Sequence, residues 1–127
     1  MNVVVFGANG GTGKALVDGA LAKGYAVTAF VRDPSSLHAR DGLRIVQGDA
    51  LDAAAVSAAI AGQDAVLSAL GSRSLGKSDL LDHASANIIA GMDEHGVKRL
   101  IVLGAAGALH DPTVHQSAQR KIFFTLI

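Results

Sequence analysis

"FGANGGTGKAL" (residues 6–16) follows directly on the apolar run "VVVF" (residues 3–6), and its glycine spacing decides between two kinds of phosphate-holding loop. A Walker A loop needs a glycine five residues before its Gly-Lys pair and a hydroxyl residue after the lysine to hold magnesium. Gly13-Lys14 supplies the pair, but Ala8 stands at the first place and Ala15 at the second, so an ATPase loop fails both requirements. The glycines at 7, 10 and 13 instead read G-x-x-G-x-x-G, placed between a strand and a helix. That is the setting of a dinucleotide-binding turn: small residues let the backbone leave the strand sharply, approach a pyrophosphate and pack the helix on the sheet. The helix N-terminus then offers free N–H groups and the positive end of its dipole to the anion.

Outward from this loop the chain alternates strands and helices. Val3 to Phe6 is a continuous apolar run, β-branched at its three valines, suited to a strand buried on both faces. A helix is expected over Gly13 to Lys23, with Gly24 as its stop, and "AVTAFVRDP" reads as a second strand halted by Asp33 and Pro34. "LRIVQGD" is a third strand, "AAAVSAAIAG" a helix closed by Gly62, and "DAVLSALG" a fourth strand. Asp79 to His95 carries Leu81, Ala84, Ile88, Ile89 and Met92 at helical spacing, with Ser78 placed to cap its start and Gly96 its end; "VKRLIVLGA" is a fifth strand. This order predicts an α/β fold, a doubly wound sheet of about five parallel strands in one domain over residues 1–127. "QRKIFFTLI" stays amphipathic or apolar up to Ile127. The chain is therefore expected to be the N-terminal part of a longer reductase whose last strands lie beyond it, and an intact mass of 12.9 kDa for the natural product would overturn this.

Composition narrows the function classes. Eleven basic and eleven acidic residues among 127 leave no net field to attract a nucleic acid, and the arginines are scattered. There is no cysteine, which removes disulfides, thiolate metal sites and cysteine nucleophiles. "LIVLGAAGAL" falls far short of the roughly 18 apolar residues of a membrane span, and the N-terminus lacks the basic start of a signal peptide. A cytoplasmic protein with no nucleic-acid or membrane partner is expected. Asp79, Asp82 and His83 lie at i, i+3 and i+4, but acids in a first helical turn are explained by the dipole, so no metal is expected.

At the end of the second strand an NAD site places an acid against the ribose hydroxyls. Here the chain reads "FVRDP". Arg32 suits a 2′-phosphate, while Asp33 either points away or caps the turn, so NADP(H) is favoured over NAD(H).

Taken together, "VVVFGANGGTGKALV", "VTAFVRDPSSL", "VQGDALDAAAVSAAIAGQDAVLSALGSRS" and "ANIIAGMDEHGVKRLIVLGAAGALHDPT" resemble the NAD(P)H-binding, NmrA-like branch of the atypical short-chain dehydrogenase/reductases. Within that branch the chain is most similar to the flavin reductases, also called biliverdin-IXβ reductases. The resemblance implies that Gly7, Asn9, Gly10, Gly11, Thr12 and Gly13 wrap the pyrophosphate, with the Thr12 amide and hydroxyl as donors. It implies Arg32 at the 2′-phosphate with Ser35 or Ser36 helping, and Asp49 and Ala50 flanking the adenine. Leu70, Gly71 and Ser72 would line the path to the nicotinamide ribose, and Arg73 would face cofactor or substrate. For Asp49 a plain turn role remains equally open.

The departures from that family matter. The only tyrosine is Tyr25, in a turn, so the Tyr-x-x-x-Lys proton donor of the wider superfamily is missing. Ala105 stands where flavin-reductase-like members carry a Ser or Thr. His110 and His115 follow the fifth strand and are the remaining candidate proton donors, although a solvated loop explains them as well. The expected activity is NADPH-dependent hydride transfer to a small planar acceptor such as a flavin, quinone or tetrapyrrole. The alternative is a non-catalytic, redox-sensing regulator of the NmrA-like type. Sugar-nucleotide epimerisation normally needs the absent tyrosine.

Overall fold

The computed structural model describes residues 1–70 and 78–102, without the side chains of Ser36, Ser78 and Asp79. Among the described residues there are five strands: β1 (Asn2–Phe6), β2 (Ala26–Val31), β3 (Leu43–Gln47), β4 (Ala65–Ser68) and β5 (Arg99–Val102). The described α-helices are α1 (Gly11–Ala22), α2 (Ala53–Ile60) and α3 (Ser78–His95). A single 3₁₀ turn, Pro34–Ser36, follows β2. All four strand pairings are parallel and the order is β3-β2-β1-β4-β5. This is the Rossmann arrangement expected from the alternation of elements.

The pleat of β1 explains its unbroken apolar run. Val3 and Val5 face one side of the sheet, where Leu16, Val17 and Ala20 of α1 cover them. Val4 and Phe6 face the other, where Val56, Ala59 and Ile60 of α2 and Ala84, Ile88 and Met92 of α3 close the second core. With both sides covered, Val4, Val5 and Phe6 are all fully buried. The expected helix stops at Gly24, Gly62 and Gly96 all have positive φ. Two boundaries differ from expectation. Helix α1 begins at Gly11 because the Gly10 carbonyl already accepts from the Lys14 amide at 2.8 Å, and Ser78 is the first residue of α3.

Helices α2 and α3 lie close together because Gly91 has no side chain. A Cβ there would meet Ile60 Cδ1 at 3.0 Å and Ser57 Cα at 3.3 Å. One turn further along α3, the Ser57 hydroxyl donates to Glu94 Oε2 at 2.7 Å and lies within hydrogen-bond distance of His95 Nε2, at 2.9 Å. This polar trio joins the two helices. Ser57→Ala is expected to change stability by less than about 1 kcal/mol in urea unfolding, because both exposed partners can turn to water and alanine favours the helix.

Candidate functional site

Strand order reverses between β1 and β4, and the crevice at their C-terminal ends is where sheets of this type bind ligands. Gly7 makes the turn out of β1 with φ +78°, and a Cβ on it would press on the Ala69 carbonyl carbon at 2.9 Å and the Leu70 nitrogen at 3.0 Å. Only glycine satisfies both the backbone angle and the close approach. Gly13 is needed for a different reason: its absent Cβ would lie 1.9 Å from the Gly7 carbonyl oxygen and 2.7 Å from Ala8 Cα. The first turn of α1 therefore rests directly on the loop backbone.

Among the described residues, no packing contact demands glycine at positions 10 and 11. A Cβ at Gly10 would meet only the Gly7 oxygen, at 3.8 Å, and one at Gly11 would meet nothing within 4 Å. Gly10 is the N-cap of α1 and makes no side-chain cap, and no acidic residue occupies the first turn. The amides of Gly11, Thr12 and Gly13 thus open the helix beside bare backbone that a ligand can approach, which fits a pyrophosphate in donor set, charge and space.

A shallow groove continues from this loop. It is lined by Gly7 and Asn9 of the loop, Phe30, Val31 and Arg32 at the end of β2, Gly48 and Ala50 after β3, and Leu70 after β4. Of the residues named from sequence, the groove brings together Gly7, Asn9, Arg32, Ala50 and Leu70, with Gly10 to Gly13 at the adjoining helix start. Ser35 and Asp49 are exposed but do not line it. Gly71, Ser72, Arg73, Ala105, His110 and His115 lie outside the described residues. Among the described residues there is no group of three or more metal-ligating side chains, and no helix is long and apolar enough to cross a membrane.

The acids beside the groove are engaged in turns. Asp33 caps the 3₁₀ turn, its Oδ1 accepting from the Ser35 hydroxyl at 2.6 Å and the Ser35 amide at 3.0 Å. These two bonds, the hydroxyl first, hold the Asp33 carboxyl below its ordinary value of 3.8. A depressed folded-state pKa means that the cap is intact above the unfolded value and is lost only as pH falls through the lower folded one. Asp49 Oδ1 accepts from the Leu51 amide at 2.9 Å, the turn role that its sequence position left open.

Sequence reasoning missed Phe30, Val31, Gly48 and Asn87. Phe30 and Val31 read only as strand core, since the pairing that places them at the groove is not written locally. Asn87 Nδ2 donates to the Ala50 carbonyl at 3.0 Å and ties α3 to the turn after β3. A poor helix former beside Ile88 on a half-buried stripe was its one available signal.

A family model described as NAD(P)H-binding matches residues 7–126. The chain belongs to this NAD(P)H-binding family. Among its relatives is a 2-alkyl-3-oxoalkanoate reductase of Stenotrophomonas maltophilia (strain K279a), 31% identical over 118 residues, which cover 89% of this chain and 36% of that protein. A Rossmann-fold NAD(P)-binding family protein from Shigella flexneri is 30% identical with a TM-score of 0.71, over 94% of this chain and 58% of that one. A short-chain dehydrogenase/reductase from Veillonella parvula in complex with NADP has a TM-score of 0.70 over 84% of this chain and 48% of that one, and at 14% identity it shows the fold alone. This NAD(P)H-binding chain spans about a third of the curated relative and about half of the solved structures.

Proposed function

We propose that this chain carries the nucleotide site of an NADPH-dependent oxidoreductase that reduces a small planar acceptor, such as a flavin, quinone or tetrapyrrole. The observation that carries the reading is the uncapped start of α1 beside Gly10 and Gly11, opening onto a groove edged by Arg32. When bound, the nicotinamide supplies the hydride. The chain's own work is to hold and orient the nucleotide: α1 amides at the pyrophosphate, Arg32 at the 2′-phosphate, and Ala50 and Leu70 against the adenosine and ribose. Acceptors whose reduced form takes its proton from solvent would need no proton donor from these residues.

The test is a fluorescence titration with NADPH and, separately, NADH. NADPH is expected to bind at least about tenfold tighter, and Arg32→Ala to erase the difference, a change of about 1.4 kcal/mol or more. Binding of neither nucleotide to the native protein would overturn the reading. Turnover is followed as NADPH oxidation with FMN or dichlorophenolindophenol. Tight binding without turnover marks the redox-sensing regulator instead. The name of the Stenotrophomonas relative favours a second reading, in which the acceptor is a ketone carbonyl; turnover with a 2-alkyl-3-oxoalkanoate but not with the dyes would select it.

A further inference from the structure

The edge of the groove at the end of β2 carries opposite charges on consecutive residues. Arg32 lines the groove and Asp33 does not. For a ligand with a phosphate at this edge, preference depends on keeping the carboxylate from joining the cation there, since a like charge beside a phosphate is repulsive. The backbone gives Asp33 little freedom: the Gly48 amide donates to the Val31 carbonyl at 2.9 Å, and Gln47 Nε2 donates to the Arg32 carbonyl at 3.3 Å. Its side chain is held from the other direction. Both donors of Ser35 are directed at one oxygen, Asp33 Oδ1, the amide at 3.0 Å and the hydroxyl at 2.6 Å. A serine hydroxyl has a single proton, so with this bond formed Ser35 has no hydroxyl donor left for a phosphate.

We propose that Ser35 is a specificity-determining residue that acts through Asp33: it fastens the carboxylate into the turn so that the cation, not the acid, faces a 2′-phosphate in the groove. This rests on the NADPH reading above and deepens it, because Ser35 then sets the preference between NADPH and NADH by positioning and not by contact. Without the hydroxyl, the Asp33 carboxylate keeps a weaker hold on the turn and swings toward Arg32, where it competes with the phosphate and can accept from ribose hydroxyls.

The test is a double-mutant cycle on the full chain, with Ser35→Ala, Asp33→Ala and both together, reading the dissociation constants of NADPH and NADH at fixed pH and salt. Ser35→Ala is expected to reduce the preference for NADPH about fivefold, the scale of one ordinary solvent-exposed hydrogen bond. In the Asp33→Ala background the same substitution is expected to change nothing, and Ser35→Thr, which keeps the hydroxyl, is expected to retain the native preference. An equal loss with and without Asp33 would show direct contact of Ser35 with the phosphate and overturn the proposal. So would an unchanged preference in Ser35→Ala. If the native protein binds neither nucleotide, the NADPH reading fails and this inference fails with it, whereas tight NADPH binding with no coupling between positions 33 and 35 removes the inference alone.

Discussion

Gly13→Ala is expected to destabilise the protein by about 3 kcal/mol or more and to abolish nucleotide binding, the upper range for overpacking a closed site. The new Cβ would lie 1.9 Å from the Gly7 carbonyl oxygen and 2.7 Å from Ala8 Cα, and these neighbours are backbone with no side-chain rotation to relieve them. Gly7 cannot yield easily, because it lies so near the Ala69–Leu70 backbone that even a Cβ on it would come within 2.9 Å. Helix α1 would have to lift from the loop, uncovering Leu16 and Val17 from β1. Urea unfolding followed by circular dichroism checks the stability. The informative control is Gly10→Ala, where a Cβ meets only one atom, at 3.8 Å. Its stability is expected to stay within about 1 kcal/mol of native, the scale of placing alanine at an N-cap, while NADPH affinity is expected to fall because a methyl there would crowd the proposed pyrophosphate site. An unchanged midpoint for Gly13→Ala would contradict the packing described here.

Phe6→Ala is expected to cost about 3–5 kcal/mol, the range for removing a fully buried aromatic ring. Phe6 has no exposed surface. It pairs with Phe30 across the β1–β2 register, the ring centroids 5.0 Å apart and the planes tilted by 50°. Phe30 is fixed from its other side by Gly48, where even a Cβ would come within 2.6 Å of the ring. Because Phe30 also lines the groove, loss of Phe6 removes the support of the site's floor as well as part of the core. The urea midpoint should fall with an unchanged slope, and NADPH binding should weaken in whatever fraction stays folded. Phe6→Leu, which keeps most of the volume, should recover the larger part of both effects.

Strand and helix identity, the helix stops at Gly24, Gly62 and Gly96, and the glycine turn from β1 into α1 were legible because each depends on neighbours within a few residues. Periodicity, β-branching and glycine placement are local properties of a chain. The polar details beside the groove were less legible. Asp33 was left between two roles until the 3₁₀ turn placed Oδ1 on both Ser35 donors. Asn87 carried no motif at all, because its partner, the Ala50 carbonyl, lies 37 residues away.

By itself, then, the sequence determined that the chain alternates strands and helices and that glycines at 7, 10 and 13 stand between the first strand and the first helix, where each acts through its own backbone. Tertiary structure decided which surface that turn belongs to. Only the strand order β3-β2-β1-β4-β5 brings the ends of β1, β2, β3 and β4 to one edge, so that Phe30, Arg32, Gly48, Ala50 and Leu70 form a single groove. Strand pairing is a contact between segments far apart in the chain, chosen by which apolar faces can be buried together, and no local pattern encodes it.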